Sequence, residues 1–188
     1  KEFIEYLKDF KFTGSIYAIP DGTPVFPNEP LITVKAPIIE AQIVEGLILN
    51  IVNFQSLIAT KAARVVKAAE GDPVLEFGLR RAQGPDAGIY GARAAYVGGC
   101  HGTACTICEK MFGIPAVGTM AHSWVQAFDS EYEAFCEYAK LYPDNCSLVI
   151  DTYDTLKSGV PNAIKAFDDV LKPMGKRPES VRIDSGDI

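Results

Sequence analysis

Ile114-Pro115-Ala116-Val117-Gly118-Thr119-Met120-Ala121-His122-Ser123-Trp124 is the stretch on which the fold class turns. Its apolar start suits a short strand, and the residues that follow form a turn in which small Gly118 and Ala121 flank the Thr119 hydroxyl. His122, one of 2 histidines in the chain, ends that turn. A lone histidine is ordinarily a surface or core residue. At a strand end, beside small residues that let a ligand approach the backbone, it becomes a candidate base or nucleophile. Similar polar clusters follow other apolar segments: Phe77-Gly78-Leu79-Arg80-Arg81, Asp151-Thr152-Tyr153-Asp154 and Arg182-Ile183-Asp184-Ser185-Gly186-Asp187.

Outward from His122 the pattern alternates. Strands are expected at 74–79, 114–118, 146–151 and 181–183, and helices at 86–97, 103–112, 130–142 and 161–171. Alternation of this kind implies a parallel sheet with crossover helices. No G-x-G-x-x-G follows the first strand, so a dinucleotide-binding sheet lacks its usual signal. Chemistry at the C-terminal ends of several strands instead fits a TIM-like α/β barrel. Too few strands are present to close one, and the chain stops just after a strand that carries chemistry. The expectation is therefore part of a barrel.

The N-terminal side reads differently. Strands are expected at 15–19, 24–26 and 31–34 around an Asp21-Gly22 turn, and Pro20, Pro24, Pro27, Pro30 and Pro37 favour edge strands and tight loops. A helix over 40–69, ~45 Å long at 1.5 Å per residue, carries the stripe Ile43, Leu47, Ile51, Phe54, Ile58, Ala62 and Val65 and stops at Gly71-Asp72-Pro73. The expected organisation is a β-rich segment of a smaller domain at 1–39, a connecting helix at 40–70 and a partial barrel at 71–188.

With 188 residues, 48% of them hydrophobic, the chain can bury a substantial core. A net charge of -6 argues against nucleic acid as partner. The apolar run 43–52 is broken by Glu45 and Asn50 and is too short and polar for a membrane span, and the N-terminus has no signal-peptide core. The expected setting is cytoplasmic, with the 5 cysteines as reduced thiols. One cysteine spacing stands apart. Cys100, Cys105 and Cys108, with His101 among them, have the C-x4-C-x2-C spacing of a plant-type iron–sulfur loop, for which Cys136 or Cys146 would supply a fourth ligand. The same residues read equally as small core side chains around a helix start.

The polar clusters suggest an anion site. Arg80, Arg81 and Arg182 suit carboxylates or phosphates, while paired aspartates beside hydroxyls suit Mg²⁺ or a ribose diol. Ser158-Gly159-Val160-Pro161 reads as a helix start whose free N–H groups either hold a phosphate or form an ordinary cap.

Leu75-Glu76-Phe77-Gly78-Leu79-Arg80-Arg81, Gly118-Thr119-Met120-Ala121-His122-Ser123-Trp124, Asp151-Thr152-Tyr153-Asp154-Thr155-Leu156 and Arg182-Ile183-Asp184-Ser185-Gly186-Asp187 resemble, in order and spacing, the motifs of nicotinate phosphoribosyltransferases. The resemblance extends to Phe12-Thr13-Gly14 and Asn53-Phe54-Gln55-Ser56-Leu57 and so covers nearly the whole chain. It implies a type II phosphoribosyltransferase of NAD salvage, an irregular α/β barrel beside a β-rich domain, and a homodimer with shared active sites. It also implies the substrates nicotinate and phosphoribosyl pyrophosphate, ATP as co-substrate, and Mg²⁺ carried mainly by substrate phosphates.

By the same resemblance His122 is the histidine phosphorylated by ATP, and Thr119 and Arg182 contact nicotinate. Phe77 stacks on the pyridine ring, and Arg80 meets pyrophosphate or substrate. Asp184, Ser185 and Asp187 face the ribose, ring or metal. The resemblance implies family segments before Lys1 and after Ile188, so the piece alone is expected to be inactive. Relatives often carry Ser-Asn where this chain has Ala104-Cys105, which removes a polar side chain there. Nicotinamide phosphoribosyltransferase shares the phosphohistidine logic but differs in the loop around His122, and it usually has an acidic residue where Ala104 stands. Quinolinate phosphoribosyltransferase shares the fold family without the ATP-linked histidine.

Overall fold

The computed structural model of the chain describes residues 1–186. A first helix, Glu2–Lys8 (α1), precedes an antiparallel pair, Ser15–Ala18 (β1) with Ile32–Lys35 (β2), in the register Ser15↔Lys35 to Ala18↔Ile32. The strand expected at 24–26 does not form. Pro24 and Pro27 have no N–H to give a ladder. Nearby amides close turns instead: Thr23 N–H donates to the Pro20 carbonyl, and Phe26 N–H to the Glu29 carboxylate at 2.9 Å. The Asp21-Gly22 turn is present, with Gly22 at φ 83°.

Ile38–Ala68 (α2) is the long helix, ended by Glu70 and Gly71 at positive φ. Its expected apolar stripe is only partly buried. Ile58, Ala62 and Val66 pack with Ala95 of Pro85–Val97 (α3) and with Cys100, and Phe54 approaches Gly91. Ile43, Leu47, Ile51 and Val65 remain exposed. A 13-residue partner cannot cover a 31-residue helix, and Val65, beside the packed Ala62 and Val66, lies off the contact face. By length and hydropathy α2 is long and apolar enough to cross a bilayer, so polar interruptions alone do not settle its setting. Its small-residue packing on α3, and the hydrogen bond from Arg93 to Gln55 at 3.2 Å, build it into an α/β unit.

The chain divides into two units, Lys1–Val117 and Gly118–Ile188, each of mixed α/β construction. In the first, Leu75–Glu76 (β3) pairs in parallel with Gly102–Thr103 (β4), with α3 as the crossover, and Thr103 makes a parallel bridge to Ala116. The strand expected at 114–118 thus shrinks to one bridge. The helix expected from 103 begins later, as Thr106–Phe112 (α4), because Gly102 and Thr103 are taken up by the sheet.

The second unit runs His122–Gln126 (α5), Glu131–Leu141 (α6), Ser147–Val149 (β5), a π-helical turn Thr155–Gly159, Val160–Ala166 (α7), a π-helical stretch Phe167–Leu171 and Ser180–Arg182 (β6). β5 and β6 pair in parallel from Ser147↔Ser180 to Val149↔Arg182. Phe135, Leu148, Val149, Ile150 and Leu171 fill its core. Helix α6 starts where Ser130 accepts the Glu133 N–H at 3.2 Å, an ordinary N-cap. The expected helix start at Ser158–Pro161 has no free N–H groups at its head, because the amides of Ser158 and Gly159 both donate to the Asp154 carbonyl at 2.9 Å. Those two amides are therefore not free to hold a phosphate.

Close approach of small residues is what joins α2 to α3. A Cβ on Gly98 would stand 2.5 Å from the Ala59 carbonyl oxygen and 2.8 Å from the Ala62 Cβ, whereas one on Gly46 would meet nothing within 4 Å. Gly98→Ala is expected to lower stability by ~1–3 kcal/mol in urea unfolding. Gly46→Ala should raise it by ~0.5–1 kcal/mol through helix propensity. Equal effects of the two substitutions would contradict this account of the packing.

Candidate functional site

Parallel pairing of β5 and β6 brings two strand ends side by side, and chemistry collects there. Beyond β5 stands Asp151, whose side chain is only 3% exposed. Its Oδ2 accepts the Asp184 backbone N–H at 2.8 Å and the Ser185 hydroxyl at 2.7 Å, both from the segment after β6. Its Oδ1 lies 3.2 Å from His122 Nε2. Burial pushes the Asp151 carboxyl up. The donors from Ser185, the Asp184 amide and His122 together outweigh that and hold it below the ordinary aspartate range.

His122 is the first residue of α5, a helix not anticipated from sequence because it is only one turn long. The helix is anchored by its next aromatic residue. The Trp124 indole N–H donates to the Ala134 carbonyl of α6 at 3.1 Å, and its ring packs with Phe128 and Tyr138. Val125 is fully buried. The imidazole therefore leaves a fixed backbone with its side chain 36% exposed, one nitrogen toward Asp151 and the other 3.8 Å from Asp184 Oδ2. An ionised carboxylate only accepts, so the nitrogen facing Asp151 carries the proton. In the neutral ring the lone pair then lies on Nδ1, the basic or nucleophilic atom.

Of the residues proposed from sequence, the second unit brings His122, Arg182, Asp184 and Ser185 together. Arg182 is half-buried and pairs with the Asp184 carboxylate. Thr119 is exposed in the loop before α5. Asp187 lies outside the described residues. Phe77 and Arg80 belong to the first unit, after β3, with Arg80 in the 3₁₀ turn Leu79–Arg81 and both side chains exposed. That segment is held by Glu76, which accepts the Gly78 N–H at 2.5 Å and the buried Thr103 hydroxyl at 2.6 Å. Sequence reading missed the roles of Asp151 and Glu76. Each is the acid nearest a strand end, the one signal that marks them.

The cysteines divide between packing clusters. Cys105 and Cys108 pack with Ala92 and Ile114, while Cys100 packs with Ala62 and Ala95. Burial first, and then the neighbouring Cys105, push the Cys108 thiol up to about 12. Among the described residues no group of three or more His, Cys, Asp or Glu is placed to hold a metal. His101 Nδ1 accepts the Val74 N–H at 3.2 Å, a structural role. A cavity of about 270 Å³ in the first unit, with the Arg93–Asp21 pair (2.6 Å) in its wall, is lined by none of the candidate site residues.

Residues 1–53 match the model of the nicotinate phosphoribosyltransferase (NAPRTase) N-terminal domain. Nicotinate phosphoribosyltransferase pncB2 of Mycobacterium tuberculosis (strain ATCC 25618 / H37Rv) is 50% identical over 189 residues, 100% of this chain and 40% of its own length. This chain is thus similar to nicotinate phosphoribosyltransferases. The nicotinate phosphoribosyltransferase of Bacillus subtilis (strain 168) is 51% identical over 215 residues, covering 98% of this chain and 43% of the relative. The crystal structure of human nicotinic acid phosphoribosyltransferase matches with a TM-score of 0.89 at 30% identity, over 98% of this chain and 46% of that one. The chain spans about 40% of the length of the curated nicotinate phosphoribosyltransferases it matches.

The lowered Asp151 value sets a pH dependence. An aspartate titrates near ~3.9 when unfolded. Because the folded value lies below that, the carboxylate's stabilisation is complete above the unfolded value and is lost as pH falls through the folded one. Asp151→Asn is expected to cost ~1–3 kcal/mol at neutral pH, with the gap to the parent protein narrowing below about pH 4. Urea unfolding of both proteins across acidic pH checks this; a gap independent of pH would refute it.

Proposed function

We propose that this chain supplies the histidine-bearing part of a nicotinate phosphoribosyltransferase. Such an enzyme joins nicotinate to 5-phosphoribosyl 1-pyrophosphate, gives nicotinate mononucleotide and pyrophosphate, and couples ATP hydrolysis through a phosphohistidine. The observation that carries the reading is His122 fixed at Nε2 by buried Asp151, with Arg182, Asp184 and Ser185 around it at the ends of two paired strands. The activity for which its relatives are named supports it. The finer architecture proposed is part of an irregular TIM-like barrel, with the divisions 1–39, 40–70 and 71–188 and active sites shared in a cytoplasmic homodimer. The 188 residues alone are expected to be inactive.

In this reading His122 Nδ1 attacks the terminal phosphorus of ATP. A nitrogen–phosphorus bond forms, the bond to the bridging oxygen breaks, and ADP leaves. Arg182 offers the part of its guanidinium not engaged by Asp184 to the nicotinate carboxylate, with Thr119 as a hydroxyl partner. Phe77 stacks on the pyridine, and Arg80 neutralises pyrophosphate. In the transfer step the pyridine nitrogen attacks the anomeric carbon as pyrophosphate departs. Positive charge grows on the ribose, which Asp184, Ser185 and Asp187 are assigned to face. Both Asp151 oxygens are occupied by protein donors, and Asp184 is paired with Arg182. Among the described residues these groups therefore form no cage for Mg²⁺, and the ion is assigned to the substrate phosphates, where it would screen their charge.

Product formation tests the reading. The complete gene product is assayed with phosphoribosyl pyrophosphate and either nicotinate or nicotinamide, with and without ATP. Nicotinate mononucleotide is expected, stimulated by ATP in the parent protein and not in His122→Ala. Reaction with nicotinamide alone would favour the nicotinamide enzyme, and no product from either base would remove the transferase reading. Arg182→Ala should raise the KM for nicotinate about tenfold to a hundredfold, the value of a charge-assisted carboxylate contact. An unchanged KM would take Arg182 out of the nicotinate site.

A further inference from the structure

Glu131, the first residue of α6, is a carboxylate only 5% exposed, yet it belongs to none of the ion pairs found among the described residues. Its Oε2 accepts the Ser158 hydroxyl and the Asn162 amide, the latter at 3.0 Å. The same Asn162 amide also reaches the Ser158 hydroxyl at 3.2 Å. Its Oε1 is buried with no partner among the described residues. Burying a charged group and leaving one oxygen unsatisfied is costly, and such exceptions in folded proteins call for an explanation.

The explanation lies in what the carboxylate clamps. Ser158 and Gly159 close the π-helical turn, and Gly159 lies against the end of β5. A Cβ there would stand 1.8 Å from the Ile150 carbonyl oxygen and 2.7 Å from its carbon. Ile150 immediately precedes Asp151, which receives His122. The turn is also tied to Asp154, whose carbonyl takes the Ser158 and Gly159 amides and whose carboxylate takes the Lys157 amide at 2.8 Å. On its other side, α6 is joined to His122's own helix by the Trp124–Ala134 hydrogen bond. The contacts form a closed circuit: His122, Trp124, Ala134, Glu131, Ser158, Gly159, Ile150, Asp151 and back to His122.

We propose that Glu131 is a positioning residue for His122: through Ser158 and Asn162 it presses the Gly159 turn onto the end of β5 and so fixes the Asp151 carboxylate at the imidazole Nε2. It never touches the reacting atoms. The catalytic half of this inference rests on His122 being the phosphorylated residue proposed above; the geometric half does not.

The experiment compares the full-length protein with Glu131→Ala, Glu131→Gln and Ser158→Ala. Long-range ¹H–¹⁵N spectra of the His122 ring report which nitrogen carries the proton, and steady-state kinetics separate kcat from KM. The parent ring should be held as the Nε2–H tautomer. Glu131→Ala and Ser158→Ala should give a mixture of tautomers, with kcat lowered about tenfold to a hundredfold by misplacement and the nicotinate KM within about twofold of the parent. Glu131→Gln, which keeps an acceptor for Ser158, should restore both readouts. Variants that fold and keep both the parent tautomer and the parent kcat would overturn the proposal. If Glu131→Ala does not fold, the Ser158→Ala and Glu131→Gln pair decides on the same criteria. If the parent makes no nucleotide product, the ring spectra still judge the positioning role by themselves.

Discussion

The Asp151 carboxylate is taken almost wholly out of water and given protein donors in return: an amide and a hydroxyl from beyond β6, and an imidazole from α5. No one of these contacts would hold a buried charge, since desolvation works against ionisation throughout. Their convergence is what keeps the group charged, and it has a structural consequence. Two strand ends and a helix start, drawn from distant parts of the sequence, can move only together. The β5–β6 register, the rotation of α5 and the facing of the His122 ring all follow from that one shared acceptor.

The same device recurs through the molecule. Glu40 accepts the Thr13 amide at 2.6 Å and its hydroxyl at 3.0 Å, Glu76 accepts Thr103, Glu131 accepts Ser158, and Asp151 accepts Ser185. In each case the hydroxyl residue has a glycine neighbour: Gly14, Gly102, Gly159 and Gly186. At Gly14, Gly102 and Gly159 a Cβ would collide with other residues, the nearest atoms standing at 2.4, 2.6 and 1.8 Å. The glycine lets the backbone come close, and the hydroxyl beside it then reaches a carboxylate that a longer approach would leave unmet. Part of the chain's acidity is thus internal fastening. Net charge alone, read as surface character, could not reveal that.

What was legible in the sequence were features whose signal is local. The long α2 is periodic and punctuated by Gly71 and Pro73, the α6 cap is written in Ser130, and polar residues crowd the ends of apolar runs. What was not legible depends on partners. β4 is two residues long and exists because β3 and Ala116 flank it; nothing in Gly102-Thr103 by itself distinguishes a strand from the helix start that follows. Of α2 only Glu40 and Ala62 are buried, the latter where α3 packs on it, so the periodic stripe overstates the core. The π-helical turn absorbs a sequence that reads as a fresh helix start because Asp154 has already claimed its amides. In the site, His122 and Arg182 stand out by residue type. Asp151 and Glu131 do not, because an acid's role as a buried acceptor is fixed only when distant donors arrive.

Why the hub is a carboxylate and not its amide follows from counting acceptors. The donors meeting at Asp151 divide between its oxygens, with Asp184 N–H and the Ser185 hydroxyl on one and His122 on the other. An asparagine supplies one oxygen and an NH₂ group. Whichever way it is turned, one of the two faces presents a donor to a donor. If the amide oxygen stays with Asp184 and Ser185, the NH₂ faces His122 and demands its lone pair, which reverses the tautomer: the Nε2 lone pair is then engaged by the amide and Nδ1 carries the proton. If the amide is flipped, the segment after β6 loses its acceptor while the ring keeps its own. The carboxylate is the one group of this size that satisfies the strand pairing and the histidine at once, so the fold of this unit and the reactivity of His122 are specified by the same atoms.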